Sequence, residues 1–170
     1  QVRLLYTDEV NKVMDATNPL LKTQGIRYLA ALFSLAAGLI HALLSPEHFE
    51  EWWGYGLFFL VSAVAQIGYA LMLLPQSQRT MGVIGLRSDQ AHSLRLFYWL
   101  GILSNAAIVL MWVITRTLGV PLFGPHAGEV EEVTLIGLAS VILELLLIAC
   151  LFVLLRRLEQ ETPDNHASLG

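Results

Sequence analysis

Cys150 is the only cysteine in 170 residues, so no internal disulfide can staple this chain. Charge is scarce too: 14% of residues are Asp, Glu, Lys or Arg against 55% hydrophobic, with a mean hydropathy of +0.60. A soluble domain carries about a quarter charged residues, so a chain this apolar needs lipid around it. The sequence has no CxxC pair, phosphate loop, dinucleotide fingerprint or nucleophile beside a base, which removes the visible apparatus of soluble-type catalysis. Nucleic acid is not expected among its partners. No cleavable signal peptide is evident, because the first apolar stretch follows a long polar segment and continues at spanning length.

Four apolar stretches, near residues 28–44, 56–75, 96–115 and 134–155, are each about the length of a bilayer crossing. They predict an all-α integral membrane protein, an antiparallel four-transmembrane-helix bundle over 26–158. Residues 1–25 are expected to form a cytoplasmic amphipathic or interfacial segment, and 159–170 a flexible tail. Val2, Leu5, Tyr6, Val10, Val13 and Met14 recur at helical spacing, and Asn18–Pro19 reads as a cap restarting the chain. Of the ten basic residues, nine fall in the two tails and the middle loop, and only Arg116 falls in loops one and three. Short loops rich in Lys and Arg stay cytoplasmic, so both termini should face inward across a plasma or inner membrane. The middle loop, Pro75 to Arg95, reads as a turn followed by a helix start capped by Ser88.

The segment from His41 to Tyr55, HALLSPEHFEEWWGY, holds the densest chemistry. Ser45 and Pro46 read as the cap and first residue of a short interfacial helix, with Trp52, Trp53 and Tyr55 at the lipid boundary. The same segment offers a candidate metal site: His48 and Glu51 are neighbours on a helical face, Glu47 is adjacent, and His126 lies in loop three. Mixed imidazole and carboxylate ligands suit Zn or Cu, although the spacing matches no established zinc motif. Loop three contains Gly119, Pro121, Gly124, Pro125 and Gly128, which favour a shaped, turn-rich loop. Six carboxylates against one Arg should make loops one and three attractive to cations.

Inside the spans, Gln66, Asn105 and Glu144 sit near mid-membrane and should form a buried polar layer. An ionised carboxylate at that depth needs a partner, and no Lys or Arg shares it. Glu144 is therefore expected to be a neutral acid donating to the carbonyl oxygen of Gln66 or Asn105. Ala30, Ser34, Gly38 and Ala42 form a small-residue stripe on the first span. His41 is expected toward the bundle's outer mouth, either satisfied by a neighbouring polar group or serving as a single axial ligand to a haem or chlorin. Trp99 and Trp112 read as markers of the two membrane boundaries.

Three functions follow as expectations. The first is an accessory subunit of a larger membrane complex, respiratory or photosynthetic, docking on other membrane subunits. The second is an outward-facing metal or cation binder or sensor. The third is a small self-associating, proton-coupled transporter.

Overall fold

The computed structural model describes residues 2–74, 90–120 and 124–161, with side chains described over 22–74, 92–120 and 124–160. Four helices account for most of this: α1 (Val2–Glu51), α2 (Trp53–Leu73), α3 (Gln90–Thr117) and α4 (Leu135–Glu161). Each contains a stretch long and apolar enough to cross a membrane, namely Lys22–Glu51, Trp53–Leu73, His92–Thr117 and Leu135–Gln160. The chain is thus an all-helical membrane-type bundle.

Local chemistry sets the helix ends. Leu74 precedes Pro75, whose ring disfavours helical backbone in the residue before it, and Leu74 is extended at ψ 139°. α3 closes where Leu118 and Gly119 both donate to the Ile114 carbonyl, with Gly119 at φ +96°, a conformation glycine adopts without a Cβ clash. α4 opens with Thr134 Oγ1 accepting from the Gly137 amide at 3.2 Å, an N-cap bond.

α1 departs from the sequence expectation, because its backbone is helical without a break through Pro19 and Pro46. Neither proline restarts the chain. Beside Pro46, which cannot donate to the turn before it, the His48 Nδ1–H donates to the Leu44 carbonyl at 2.8 Å. Ser45 does not cap a new helix; its hydroxyl donates to the Gly56 carbonyl at 3.2 Å and ties the end of α1 to the first turn of α2. The break falls instead at Trp52, an extended residue at φ −168° between the two helices. The expected turn over 75–89 and the tail beyond 161 lie outside the described residues.

α1 packs on α2 and α4, and α4 packs on α3. The first of these seams uses small groups: Ala30, Ser34, Ala37 and Gly38 of α1 are buried, as are Ser62, Ala63 and Ala70 of α2. Close backbone approach lets Ser34 Oγ donate to the Gln66 carbonyl at 2.7 Å, within a helix pairing that lipid alone would not drive. α2 and α3 are joined more loosely, through the stacked rings of Tyr69 and Phe97 and the Tyr69 hydroxyl on the Phe97 carbonyl at 3.1 Å.

Three tiers result along the bundle. At the end bearing the Arg157–Thr23 hydrogen bond, Leu73, Tyr98, Leu147, Leu151, Leu154 and Leu155 form the apolar core. A polar layer crosses the middle. At the opposite end, where the α1–α2 and α3–α4 connections meet, the helices part around a cavity.

A candidate intramembrane acid–base site

Glu144 is fully buried on α4, and its Oε1 lies 2.9 Å from Nε2 of His41, itself 5% exposed on α1. Gln66 of α2 donates from one amide nitrogen to both Glu144 Oε1 at 3.3 Å and Asn105 Oδ1 of α3 at 3.0 Å. Asn105 donates its own amide N–H to the Gly101 carbonyl at 2.8 Å. Ser140, one turn before Glu144, places Oγ 3.4 Å from Oε1 and 3.5 Å from His41 Nε2. Each of α1 to α4 thus contributes to a single network.

The geometry leaves specific atoms idle. Glu144 Oε2, His41 Nδ1 and Gln66 Oε1 are buried without a hydrogen-bond partner among the described residues. Such groups ordinarily cost about 1–3 kcal/mol each when unpaired in a protein interior, so their accumulation on one cluster calls for an explanation. His41 and Glu144 line the inner end of a cavity of about 1150 Å³. Six aromatic rings, those of Trp52, Trp53, Tyr55, Phe58, Phe59 and Trp112, make up much of its wall. Toward the opposite end it is lined by Glu47, Glu51, Glu129, Glu131 and Glu132.

Arg116, the one Lys or Arg lining the cavity among the described residues, is engaged. It pairs with Glu131 at 3.0 Å, donates to Thr115 Oγ1 at 2.7 Å and lies over the Trp112 ring, 4.9 Å from its centroid. Trp112 is therefore the floor of a cation contact and a cavity wall, beyond the boundary role its position suggested. Loop three folds back over this end: Val120 and Glu129 are backbone-bonded at 2.9 Å, and Gly119, Gly124 and Gly128 all have positive φ.

The polar layer of Gln66, Asn105 and Glu144 is brought together, but with a polarity opposite to the expectation. Glu144 accepts from Gln66, and it reaches Asn105 only through that amide. The larger difference is His41, expected near the outer mouth and found bonded to Glu144. Ser140, a small residue one turn before Glu144, is part of the same cluster.

The candidate metal ligands do not gather in this way. His48 is committed to the Leu44 carbonyl and stacks on Phe59 with centroids 3.8 Å apart, and exposed His126 bonds Glu129 at 2.9 Å. Glu47 and Glu51 are exposed on the end of α1. Among the described residues, no three His, Cys, Asp or Glu side chains are grouped so as to hold a metal ion. Beside His41, Phe59 approaches edge-on at 5.4 Å between ring centroids.

Compared with family models, with curated proteins and with solved structures, the chain matches none.

Proposed function

We propose that the chain is an integral membrane cation-binding protein whose binding centre is the His41–Glu144 pair. In this reading the helices run antiparallel across a plasma or inner membrane with both termini inside, and the cavity opens outward. The N-terminal part of α1 is on the cytoplasmic side. The distribution of Lys and Arg supports that orientation.

One observation carries the functional reading: a buried carboxylate and imidazole, each with an unpartnered atom, line an acidic-rimmed cavity. An ionisable residue inside a membrane is expensive, and where it faces a cavity it marks a ligand or proton path. The acid-rich rim raises the local concentration of cations, while aromatic walls and a carboxylate receive them. The pair can also move a proton. With two protons it is net neutral, as imidazolium–carboxylate or as imidazole–carboxylic acid, and these forms differ only by transfer along the 2.9 Å bond. With one proton it is net negative and complementary to a cation.

Infrared difference spectroscopy on the protein in lipid nanodiscs tests the centre. A pH jump should change a carboxylic C=O band that shifts within seconds in D2O and is missing in Glu144→Gln. A band that ignores pH, or exchanges only over hours, would describe sealed structural glue and end this reading. An accessory role in a larger membrane assembly is compatible with cation binding, and co-purification of other subunits at fixed stoichiometry tests it.

A further inference from the structure

The cavity is far larger than a metal ion requires and, among the described residues, offers no grouped set of metal ligands. At about 1150 Å³ it matches or exceeds the roughly 300–1,000 Å³ of pockets that hold drug-sized ligands. Its outer half runs between Phe58, Phe59 and Ser62 of α2 and Ile108, Met111 and Trp112 of α3, two helices that are only loosely joined. An occupant of this space meets apolar and aromatic surface along its length and carboxylates on entry, and at the far end the wall includes Glu144, whose spare oxygen is buried within it. Resting on the cation-binding reading, we infer that the ligand is a lipophilic organic cation, a singly charged head on an apolar or aromatic body, and that its binding displaces one proton from the His41–Glu144 pair.

The charge balance sets the stoichiometry. The doubly protonated, neutral pair gives up the proton on Nδ1, which leaves through the cavity to water. Nε2–H continues to donate to Oε1, and the pair is left with one negative charge. The arriving cation, placed against Oε2, restores neutrality inside the low-dielectric bundle, so one proton leaves for each cation bound. Among the described residues, the contacts facing the pair are Ser140 from α4, Gln66 and Phe59 from α2, and Asn105 of α3 beyond Gln66. His48, stacked on the far side of Phe59, and His126 with the rim glutamates also line the cavity, so the protons that belong to the pair are those whose release is lost in Glu144→Gln. Aromatic walls add selectivity for soft, weakly hydrated cations, because a ring face attracts a cation best once it has shed its water.

The sign of the pH effect follows. Protons compete with the cation, so affinity rises with pH, by up to about tenfold per unit wherever the pair is otherwise fully protonated.

The decisive probes are tetraphenylphosphonium and tetraphenylborate, which share size and shape and differ in the sign of charge. Each is titrated into nanodiscs with and without the protein, with calorimetry in two buffers of different ionisation enthalpy to count protons. Tetraphenylphosphonium should bind above the empty-nanodisc background, more tightly at the alkaline end of the pH range over which the Glu144 carboxyl band changes than at its acid end, releasing up to one proton per ion. Tetraphenylborate should show no excess over background. Glu144→Gln should lose at least tenfold in affinity, and Glu144→Asp should retain proton-coupled binding. Equal uptake of both ions, affinity that does not rise with pH, or absence of tetraphenylphosphonium binding would overturn the inference. Failure here with a responsive Glu144 carboxyl band refutes the ligand class alone, whereas a silent band removes the cation-binding centre itself.

Discussion

Replacing His41 by Leu is expected to destabilise the protein by on the order of 3 kcal/mol, the low end of the range for breaking a buried ion pair from one side. Glu144 would keep Gln66 and Ser140 but lose its 2.9 Å partner, leaving a fully buried carboxyl with one more unmet need. Uptake of a proton relieves the charge, which is why the low end applies. Glu144→Leu alone should cost less, because the His41 ring can become neutral and still face Ser140. The double replacement should cost clearly less than the sum of the singles, since two well-packed leucines demand nothing. Steric trapping or reversible unfolding in bicelles supplies the four free energies. Additive effects would mean that the two side chains do not interact.

The second large effect belongs to Gly38, in the α1–α2 seam. A Cβ there would stand 2.9 Å from Ile67 Cγ1 and 3.2 Å from both the Ala63 carbonyl oxygen and Gln66 Cβ. Ile67 can turn away, but the backbone of α2 cannot yield without moving the helix. Gly38→Leu should therefore cost about 1–3 kcal/mol as an overpacked interface. It should also displace Gln66, detaching the amide that joins α2 and α3 to Glu144. Gly68 is the control: a Cβ added there would meet nothing within 4 Å, so Gly68→Ala should leave stability equal or higher. Equal tolerance at both positions would contradict the close α1–α2 approach.

The four crossings were legible in the sequence because apolar length and rarity of charge are properties of composition alone. The presence of Gln66, Asn105 and Glu144 at similar depth was legible too, since each lies near the middle of an apolar run. The partner of Glu144 was not. Pro46 looked like a helix start, which ended the first span at residue 44 and put His41 near its mouth. With α1 running on to Glu51, His41 lies ten residues, about 15 Å, from the helix end. Glu144 lies nine residues, about 13.5 Å, from the start of α4, so the two share a depth. Helix register alone matches them once α1 continues through the proline. A proline inside a helix leaves the carbonyl four residues earlier, here that of Ala42, without its amide donor, and no local pattern announces that the helix continues past it. The cavity was illegible for a related reason: it arises where α2 and α3 part, a feature of helix placement and not of either sequence stretch. Tyr69 and Phe97 hold that seam at the other end, and a stacked pair 28 residues apart leaves no local trace.

The proton-bearing contact between His41 and Glu144 is tested most directly by solid-state NMR of the protein in lipid, with 15N-labelled histidine and 13C-labelled glutamate side chains. The five histidines are separated by comparison with His41→Asn. The His41 Nε2 signal should dephase strongly against a glutamate carboxyl carbon, and Glu144→Gln should abolish that dephasing. A His41 nitrogen with no carboxyl carbon near it would contradict the account at its centre.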